Sequence, residues 1–325
     1  MQALLCTSFA PVTGLTVDRI DPPVAQAGKV IIAVHAAGVN FPDVLIVQGK
    51  YQTRPALPFV PGSEAAGVIL STGKGVTRFK AGDRVVAFTG TGAFAEQVSV
   101  NEDQVFTLPE QIDFVTGAGV LITYGTAYHA LKDRGRLDPG ETLLVLGAAG
   151  GVGLAAVEIG ASMGARVIAC ASTPQKLALA AEHGAVAGIN YAQEDLRSRA
   201  GELTGGKGPD VVFDPVGGDL NLAALKSIGW GGRLLVVGFA GGDIQSIPAN
   251  LLLLRNAAAV GLLWGNSLRA DPRPHAENLE QIMAWIAQGR IRPEVENVYP
   301  LDEATQALQH LEARRARGKL ILKIK

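Results

Sequence analysis

The stretch LVLGAAGGVG, Leu144 to Gly153, ends with three glycines in its last four residues, directly after an apolar run. Its spacing, Ala148-x-Gly150-Gly151-x-Gly153, misses the strict Gly-x-Gly-x-x-Gly pattern at Ala148. Bare backbone at the start of a helix exposes N–H groups and the positive end of the helix dipole, which suits a pyrophosphate. On this reading the strand TLLVL ends at Leu146 and a helix begins near Val152. Gly150 admits the phosphates closely, and Gly153 lets the helix pack on its sheet. The candidate contacts are Ala149, Gly150, Gly151, Val152 and Gly153. A glycine turn alone is also compatible with a plain tight turn; the flanking strand and helix favour the dinucleotide.

The next strand, ARVIACA, tests the idea. An NAD site places Asp or Glu at its end to hold the ribose 2′-hydroxyl. Here that position falls near Ala171, with no carboxylate, and Ser172, Thr173 and Lys176 follow. Pro174 suits the first position of a helix capped by Thr173. Two hydroxyls, a helix N-terminus and an ammonium suit a phosphate dianion, so the sequence favours NADPH over NADH. A solvated Lys176 and a merely capping Ser172 form the alternative.

These residues need a scaffold. The first third holds short apolar or alternating runs (KVIIAVHAAGV, EAAGVILSTG, DRVVAFTG, FAEQVSV) broken by Gly, Pro and Asp, which read as strands of a β-rich unit. From about Leu121, strand-like and helix-like segments alternate through GRLLVVGF, the signature of a parallel sheet wound with helices on both faces. After Gly265, HAENLEQIMAWIAQG reads as an amphipathic helix ending at Gly289. A second helix starts at Asp302 as N-cap, with Ala304, Ala307, Leu308 and Leu311 on one face, before a last strand KLILKIK. The expected division is 1–122, 123–264 and 265–325, the middle segment inserted into the other domain.

Composition excludes other classes. The chain has 325 residues, 48% apolar and 18% charged, with a formal net charge of −1. That gives no global field for nucleic acid or a membrane surface. Cys6 and Cys170 lie in apolar runs and read as buried reduced thiols. The N-terminus does not read as a signal peptide. NLLLLRNAAAVGLLW is broken by Arg255 and too short to span a bilayer. The expectation is a soluble cytoplasmic protein.

The chain resembles the zinc-independent quinone oxidoreductase family of the medium-chain dehydrogenase/reductase superfamily. The resemblance runs through GVNFPDVLIVQGKY, LPFVPGSEAAGVI, GDRVVAF, LITYGTAYHAL, GETLLVLGAAGGVGLAAVEIGASMGA, ASTPQKL, GPDVVFDPVGG, GRLLVVGFAGG and GLLWGN, in that order. It implies an α/β fold: a Rossmann doubly wound parallel sheet inserted in a GroES-like β-rich catalytic domain, with the active site in the cleft. It also implies a homodimer through the Rossmann sheet, at the edge near AAAVGLL.

Zinc-dependent relatives carry three catalytic ligands, at positions where this chain has Asn40, Ser63 and roughly Ile122. None is a normal zinc ligand. Two cysteines cannot supply a four-cysteine structural site, and the five histidines show no ligand spacing, so no metal is expected. Tyr128 and Lys132 fit the Tyr-x-x-x-Lys of short-chain reductases, but they precede the glycine turn and read as helix and surface residues.

Without zinc, hydrogen-bond donors must polarise the acceptor. A quinone or an α,β-unsaturated carbonyl leaves an anionic oxygen after hydride addition, which a donor can stabilise. The resemblance points to Asn40 and Tyr51 as those donors, Tyr51 also as a general acid or else a lining aromatic; Asp43 is expected to bond the loop after Asn40. For the cofactor it adds Thr126, Tyr191 near the adenosine phosphate, Phe239, Leu263 and Trp264 near the nicotinamide, and Arg314 at the 2′-phosphate. Core packing, or a free surface arginine, is the competing reading of these. Glu158 stands where Gln is usual, and Ala161 where a basic residue or Ser is usual. The expected activity is NADPH-dependent hydride transfer to quinones or related enones. The rivals are an enoyl-thioester or alkenal reductase and a non-catalytic NADPH-binding or redox-sensing protein.

Overall fold

Strand Lys29–Val39 is eleven residues long, and both its faces are largely buried. Such a strand needs cover on two sides, and the first unit is built around it. The computed structural model describes residues 1–325. It forms two compact units: Met1–Ile122 with Gly265–Ala287 and Pro293–Lys325, and Thr123–Trp264 with Gln288–Arg292.

In chain order the first unit opens with β1 (Gln2–Leu5), β2 (Thr16–Arg19), β3 (Lys29–Val39), α1 (Phe41–Val47), β4 (Glu64–Thr72), β5 (Arg84–Phe88), β6 (Gln97–Asn101), β7 (Val105–Thr107) and α2 (Phe114–Ala118). The helix α3 (Leu121–Tyr128) follows and continues as a π-helical turn, His129–Arg134. The second unit then alternates β8 (Thr142–Leu146), α4 (Gly151–Ser162), β9 (Arg166–Ala171), α5 (Pro174–Glu182), β10 (Ala187–Asn190), α6 (Leu196–Leu203), β11 (Val211–Asp214), α7 (Gly218–Ser227), β12 (Arg233–Val236), α8 (Ala249–Arg255) and β13 (Ala258–Gly261). The chain closes with α9 (Trp264–Ala270), α10 (Pro272–Ala287), β14 (Val295–Pro300), α11 (Ala304–Glu312) and β15 (Lys319–Lys323).

The second unit's sheet runs β10-β9-β8-β11-β12-β13, with every pairing parallel. This is the Rossmann strand order, which reverses between β8 and β11. β8 and β11 are almost wholly buried because helices cover both faces of the sheet. Leu144, Ile168, Val212 and Leu234, at the centre of four adjacent strands, head its core.

The first unit's sheet runs β14-β15-β3-β4-β5-β7, with β6 also paired to β3. The last strand thus returns to the first long one, Ile321 opposite Gly38 and Leu320 opposite Val39. Its core gathers Ile32, Val34, Ile69, Val85, Phe94 and Leu322.

Two details differ from the sequence reading. Asp302 is not an N-cap: it lies in a 3-10 turn, Leu301–Glu303, and α11 starts after Glu303 without a side-chain cap. The turn supplies the entry geometry that a cap would have provided. Gln288–Arg292 belongs with the second unit, because the Arg292 N–H donates to Glu158 Oε1 at 2.8 Å. No helix is long and apolar enough to cross a membrane.

Candidate functional site

In the second unit, β8 delivers the chain into the glycine bend. Gly147 adopts φ +59°, the Ala148 N–H donates to Cys170 O at 3.1 Å and the Gly150 N–H to Gly147 O at 3.0 Å. Gly150 is the N-cap of α4 but has no side chain to cap with. The first helical bond runs from the Leu154 N–H to Gly150 O at 2.8 Å. The N–H groups of Gly151, Val152 and Gly153 therefore have no acceptor in the protein and face outward with the helix dipole. A Cβ at Gly153 would stand 2.2 Å from Gly147 O, whereas one at Gly150 would meet only that oxygen, at 3.6 Å. The bend thus offers three bare donors at a helix N-terminus, which fits a pyrophosphate.

β9 ends at Ala171, with no acid at the position that would face a ribose 2′-hydroxyl. Thr173 caps α5, its hydroxyl accepting from the Lys176 N–H at 3.3 Å, with Pro174 in the first turn. Ser172 and Lys176 are half-buried here. Tyr191 is brought beside them by its own N–H, which donates to Ala171 O at 3.1 Å. A ribose placed at the end of β9 would thus meet Ser172, Thr173 and Lys176 and no carboxylate.

Across the strand-order switch, Asp214 pins the loop after β11. Its Oδ1 accepts from the Val216 and Gly217 N–H groups at 2.8 and 2.9 Å, its Oδ2 from Asn221 at 2.7 Å. Phe239 packs over Gly217. Trp264 is buried with its indole against Gly125, next to Thr126 on α3, while Leu263 is 44% exposed. Arg314 lies in the first unit, exposed, at φ +57° just after α11.

Glu158 is more than a helix-body residue. It is buried and accepts from the Tyr124 hydroxyl, from the Arg292 N–H and, at 2.8 Å, pairs with His183 Nδ1. A glutamine here could not accept three donors through two oxygens. Lys132 Nζ lies 5.3 Å from the Tyr128 ring centre, a cation–π contact on the π-helical turn.

In the first unit, five buried polar side chains form one connected network: Asn40, Asp43, Ser63, Glu64 and Lys319. Asn40 ends β3 and opens α1, and its N–H donates to Asp43 Oδ2 at 2.8 Å. Asp43 therefore bonds the loop after Asn40, as expected. The Ser63 hydroxyl donates to Asp43 Oδ1. Lys319 Nζ, from β15, reaches Glu64 Oε1 and Asn40 Oδ1, both at 2.6 Å, and Val39 O at 3.1 Å. Glu64 Oε2 accepts from the Ile122 N–H at 2.9 Å, at the start of α3. Glycine at position 38 makes room for this carboxylate: a Cβ there would lie 2.2 Å from Glu64 Oε1.

These surroundings bear on the donor role expected of Asn40. Its amide nitrogen donates to Glu64 Oε1 at 2.9 Å and to Gly38 O at 3.3 Å, so both hydrogens are engaged inside the protein. In this arrangement neither hydrogen is left over for an acceptor oxygen. Tyr51 differs: it is half-buried against the first unit's core, and its hydroxyl has no partner in the protein. Burial raises its phenol pKa, the Asp43 carboxylate adds to the rise, and Arg269 opposes it. Arg269 itself stacks on Phe88, 4.9 Å from the ring centre. Asp43 is pushed up to about 7 by burial, against the hydrogen bonds from Ser63 and Asn40 and the charge of Lys319, with Glu64 adding to the rise.

Reasoning on sequence missed Lys319 and Glu64. The available signals were a lysine heading the apolar run KLILKIK and an acid following PGS. No three His, Cys, Asp or Glu side chains are grouped so as to hold a metal ion. Each histidine has another engagement: His35 stacks on Phe114, His129 pairs with Asp133, His275 with Ser267, and His310 with Tyr299.

Residues 26–110 match the family model "Alcohol dehydrogenase GroES-like domain", and 151–287 match "Zinc-binding dehydrogenase". Quinone oxidoreductase-like protein 2 of Bos taurus is 40% identical over 325 residues, covering 100% of this chain and 93% of the bovine one. The chain belongs to the quinone oxidoreductase family of the medium-chain dehydrogenases and reductases. Among solved structures, Escherichia coli quinone oxidoreductase complexed with NADPH superimposes with a TM-score of 0.95 at 30% identity over 100% of both chains. The Thermus thermophilus quinone oxidoreductase, also solved with NADPH, gives 0.87 at 33% identity over 100% of both. Family membership makes the chain an α/β oxidoreductase with a Rossmann sheet and a GroES-like domain.

Proposed function

We propose that this chain is an NADPH-dependent oxidoreductase that passes hydride to quinones or related α,β-unsaturated carbonyls without zinc. The observation that carries the cofactor reading is the pairing of three unpartnered amides at Gly151–Gly153 with a β9 that ends at Ala171 and lacks an acid. Gly151, Val152 and Gly153 hold the pyrophosphate; Ser172, Lys176 and Tyr191 hold the 2′-phosphate; Thr126, Phe239, Leu263 and Trp264 border the nicotinamide. The NADPH named in the Escherichia coli and Thermus thermophilus structures supports the same cofactor. When bound, NADPH supplies the hydride.

The zinc-free reading rests on Asn40, Ser63 and Ile122 at the ligand positions of zinc-dependent relatives, and on Lys319 bonded to Asn40 and Glu64 beside them. An ammonium there repels a divalent cation. Tyr51 offers its free hydroxyl to the oxygen that gains charge, and Asn40 holds the wall in place. NADPH oxidation measured with a quinone, an enone and an enoyl-CoA tests the reading. Turnover of the quinone or enone supports it; turnover of the enoyl-CoA alone, or stoichiometric zinc in the purified protein, overturns it.

The same reading extends to a homodimer. β13 is an edge strand bonded only to β12, with Ala258 and Ala259 exposed. α8 ahead of it exposes Leu253 and Leu254, at 78% and 64%. An unblunted apolar edge is a template for pairing with a second copy.

A further inference from the structure

Asp43 holds the one carboxylate of the buried network that no cation neutralises at contact distance. Lys319 is committed to Glu64, 2.6 Å away. The two oxygens of Asp43 are not equivalent. Oδ2 accepts the Asn40 N–H at 2.8 Å, a donor that cannot move. A proton on the carboxyl is therefore favoured on Oδ1, the oxygen that faces the Ser63 hydroxyl.

That geometry makes the pair a two-state device. With Asp43 ionised, Ser63 donates to Oδ1, as observed. With Asp43 protonated, Oδ1–H donates to Ser63 Oγ instead. A hydroxyl that accepts on its oxygen has its own hydrogen free to point elsewhere. Ser63 sits at the mouth of β4, 5% exposed, and Asp43 is close enough to the Tyr51 phenol for its charge to be felt there.

We propose that Ser63 is a catalytic proton donor to the acceptor oxygen and that Asp43 is the buried reserve that recharges it. The step rests on the hydride-transfer reading above. As the acceptor carbon gains hydride, the carbonyl electron pair moves onto its oxygen. The Ser63 O–H bond breaks and its proton bonds to that oxygen; the Asp43 Oδ1–H bond breaks and restores the Ser63 hydroxyl. NADPH is oxidised by two electrons, the acceptor is reduced by two, and Asp43 is left as a carboxylate. Release of product opens Ser63 to water, through which Asp43 regains its proton.

The charged and titratable groups facing Asp43 are Glu64 on β4, Lys319 on β15 and Tyr51 after α1. Glu64 raises its proton affinity and Lys319 lowers it, with burial the larger cause, so the reserve changes state at about pH 7.

The test compares kcat against pH for the wild type, Asp43→Asn, Ser63→Ala and Ser63→Thr, each checked for NADPH affinity as evidence of folding. The wild type is expected to lose kcat as pH rises through about 7. Asp43→Asn and Ser63→Ala should abolish that limb and lower the acid-side kcat by about 100-fold, the usual range for general acids. Ser63→Thr should retain the limb. Infrared difference spectra, taken without cofactor or acceptor, should show a protonated carboxyl titrating in the same range and missing from Asp43→Asn. An active wild type whose profile survives both Asp43→Asn and Ser63→Ala overturns the relay alone, and so does the absence of that carboxyl band. A wild type inert toward quinone and enone overturns the functional reading and the delivery step together. If Asp43→Asn does not fold, the Ala and Thr variants of Ser63 decide.

Discussion

Lys319 Nζ lies 2.6 Å from Glu64 Oε1, and neither side chain is more than 6% exposed. A charged pair this deep persists only when its remaining lone pairs and protons are bonded. Here Asn40 Oδ1, Val39 O and the Ile122 N–H complete the set. Replacing Lys319 by Met leaves Glu64 as a buried carboxylate without its ammonium. Breaking one partner of such a pair costs about 3–5 kcal/mol. Urea denaturation of Lys319→Met should show that loss at neutral pH.

Asp43 predicts a pH dependence of stability with a definite sign. Its proton affinity is raised in the folded state, from 3.8 to about 7. Between those values the native chain binds more protons than the unfolded chain, so stability falls as pH rises. The contribution from this group is greatest below the unfolded value and is lost by about pH 7, a change on the order of a few kcal/mol. Denaturation at mildly acidic and at neutral pH should show this slope in the wild type and its absence in Asp43→Asn.

On the proposed cofactor reading, the end of β9 sets the choice between NADPH and NADH. A carboxylate introduced by Ala171→Asp would repel a 2′-phosphate and bond a free 2′-hydroxyl. NADPH affinity should fall by about 10- to 100-fold, the value of one or two charge-assisted hydrogen bonds, while NADH affinity holds or rises. Lys176→Met should weaken NADPH and leave NADH unchanged. Titrating both cofactors by fluorescence separates the two effects.

The two glycines of the bend should respond differently to a methyl group. At Gly153 a Cβ would collide with Gly147 O, so Gly153→Ala must push α4 off the strand, at about 1–3 kcal/mol, and should weaken NADPH binding. At Gly150 the nearest atom is 3.6 Å away and φ is −81°. Gly150→Ala should leave the melting temperature nearly unchanged and act only on cofactor affinity. Thermal melts with and without NADPH distinguish them.

The exposed edge of β13 predicts association. Ala259→Lys combined with Leu254→Glu places opposite charges on the strand and the helix before it, where an apolar partner would pack. The variant should sediment as a monomer, against a dimer for the wild type.

The β–α alternation from Thr142 to Gly261 was legible in the sequence because strands covered on both faces must be continuously apolar. The bend at Gly150–Gly153 and the Thr173 cap were legible because their residues act on neighbours within four positions. Asn40 was not: nothing in GVNFPD shows that its amide is saturated by Glu64 and by Lys319, the latter 279 residues away. The π-helical turn at His129–Arg134 was hidden as well, since its hydrophobic pattern resembles that of an ordinary helix over so short a span. Glu158 showed only as an unusual residue; its three partners come from α3, the residue after α5 and a segment beyond α10.

The crossing of β15 back to β3 has a consequence for the order of assembly. Asn40 and Glu64 leave the ribosome long before Lys319, and every strand of the parallel sheet is synthesised in the interval. That sheet is free to consolidate as a unit while the earlier β-rich segment still waits, its acid hydrated, for the lysine that lets it close.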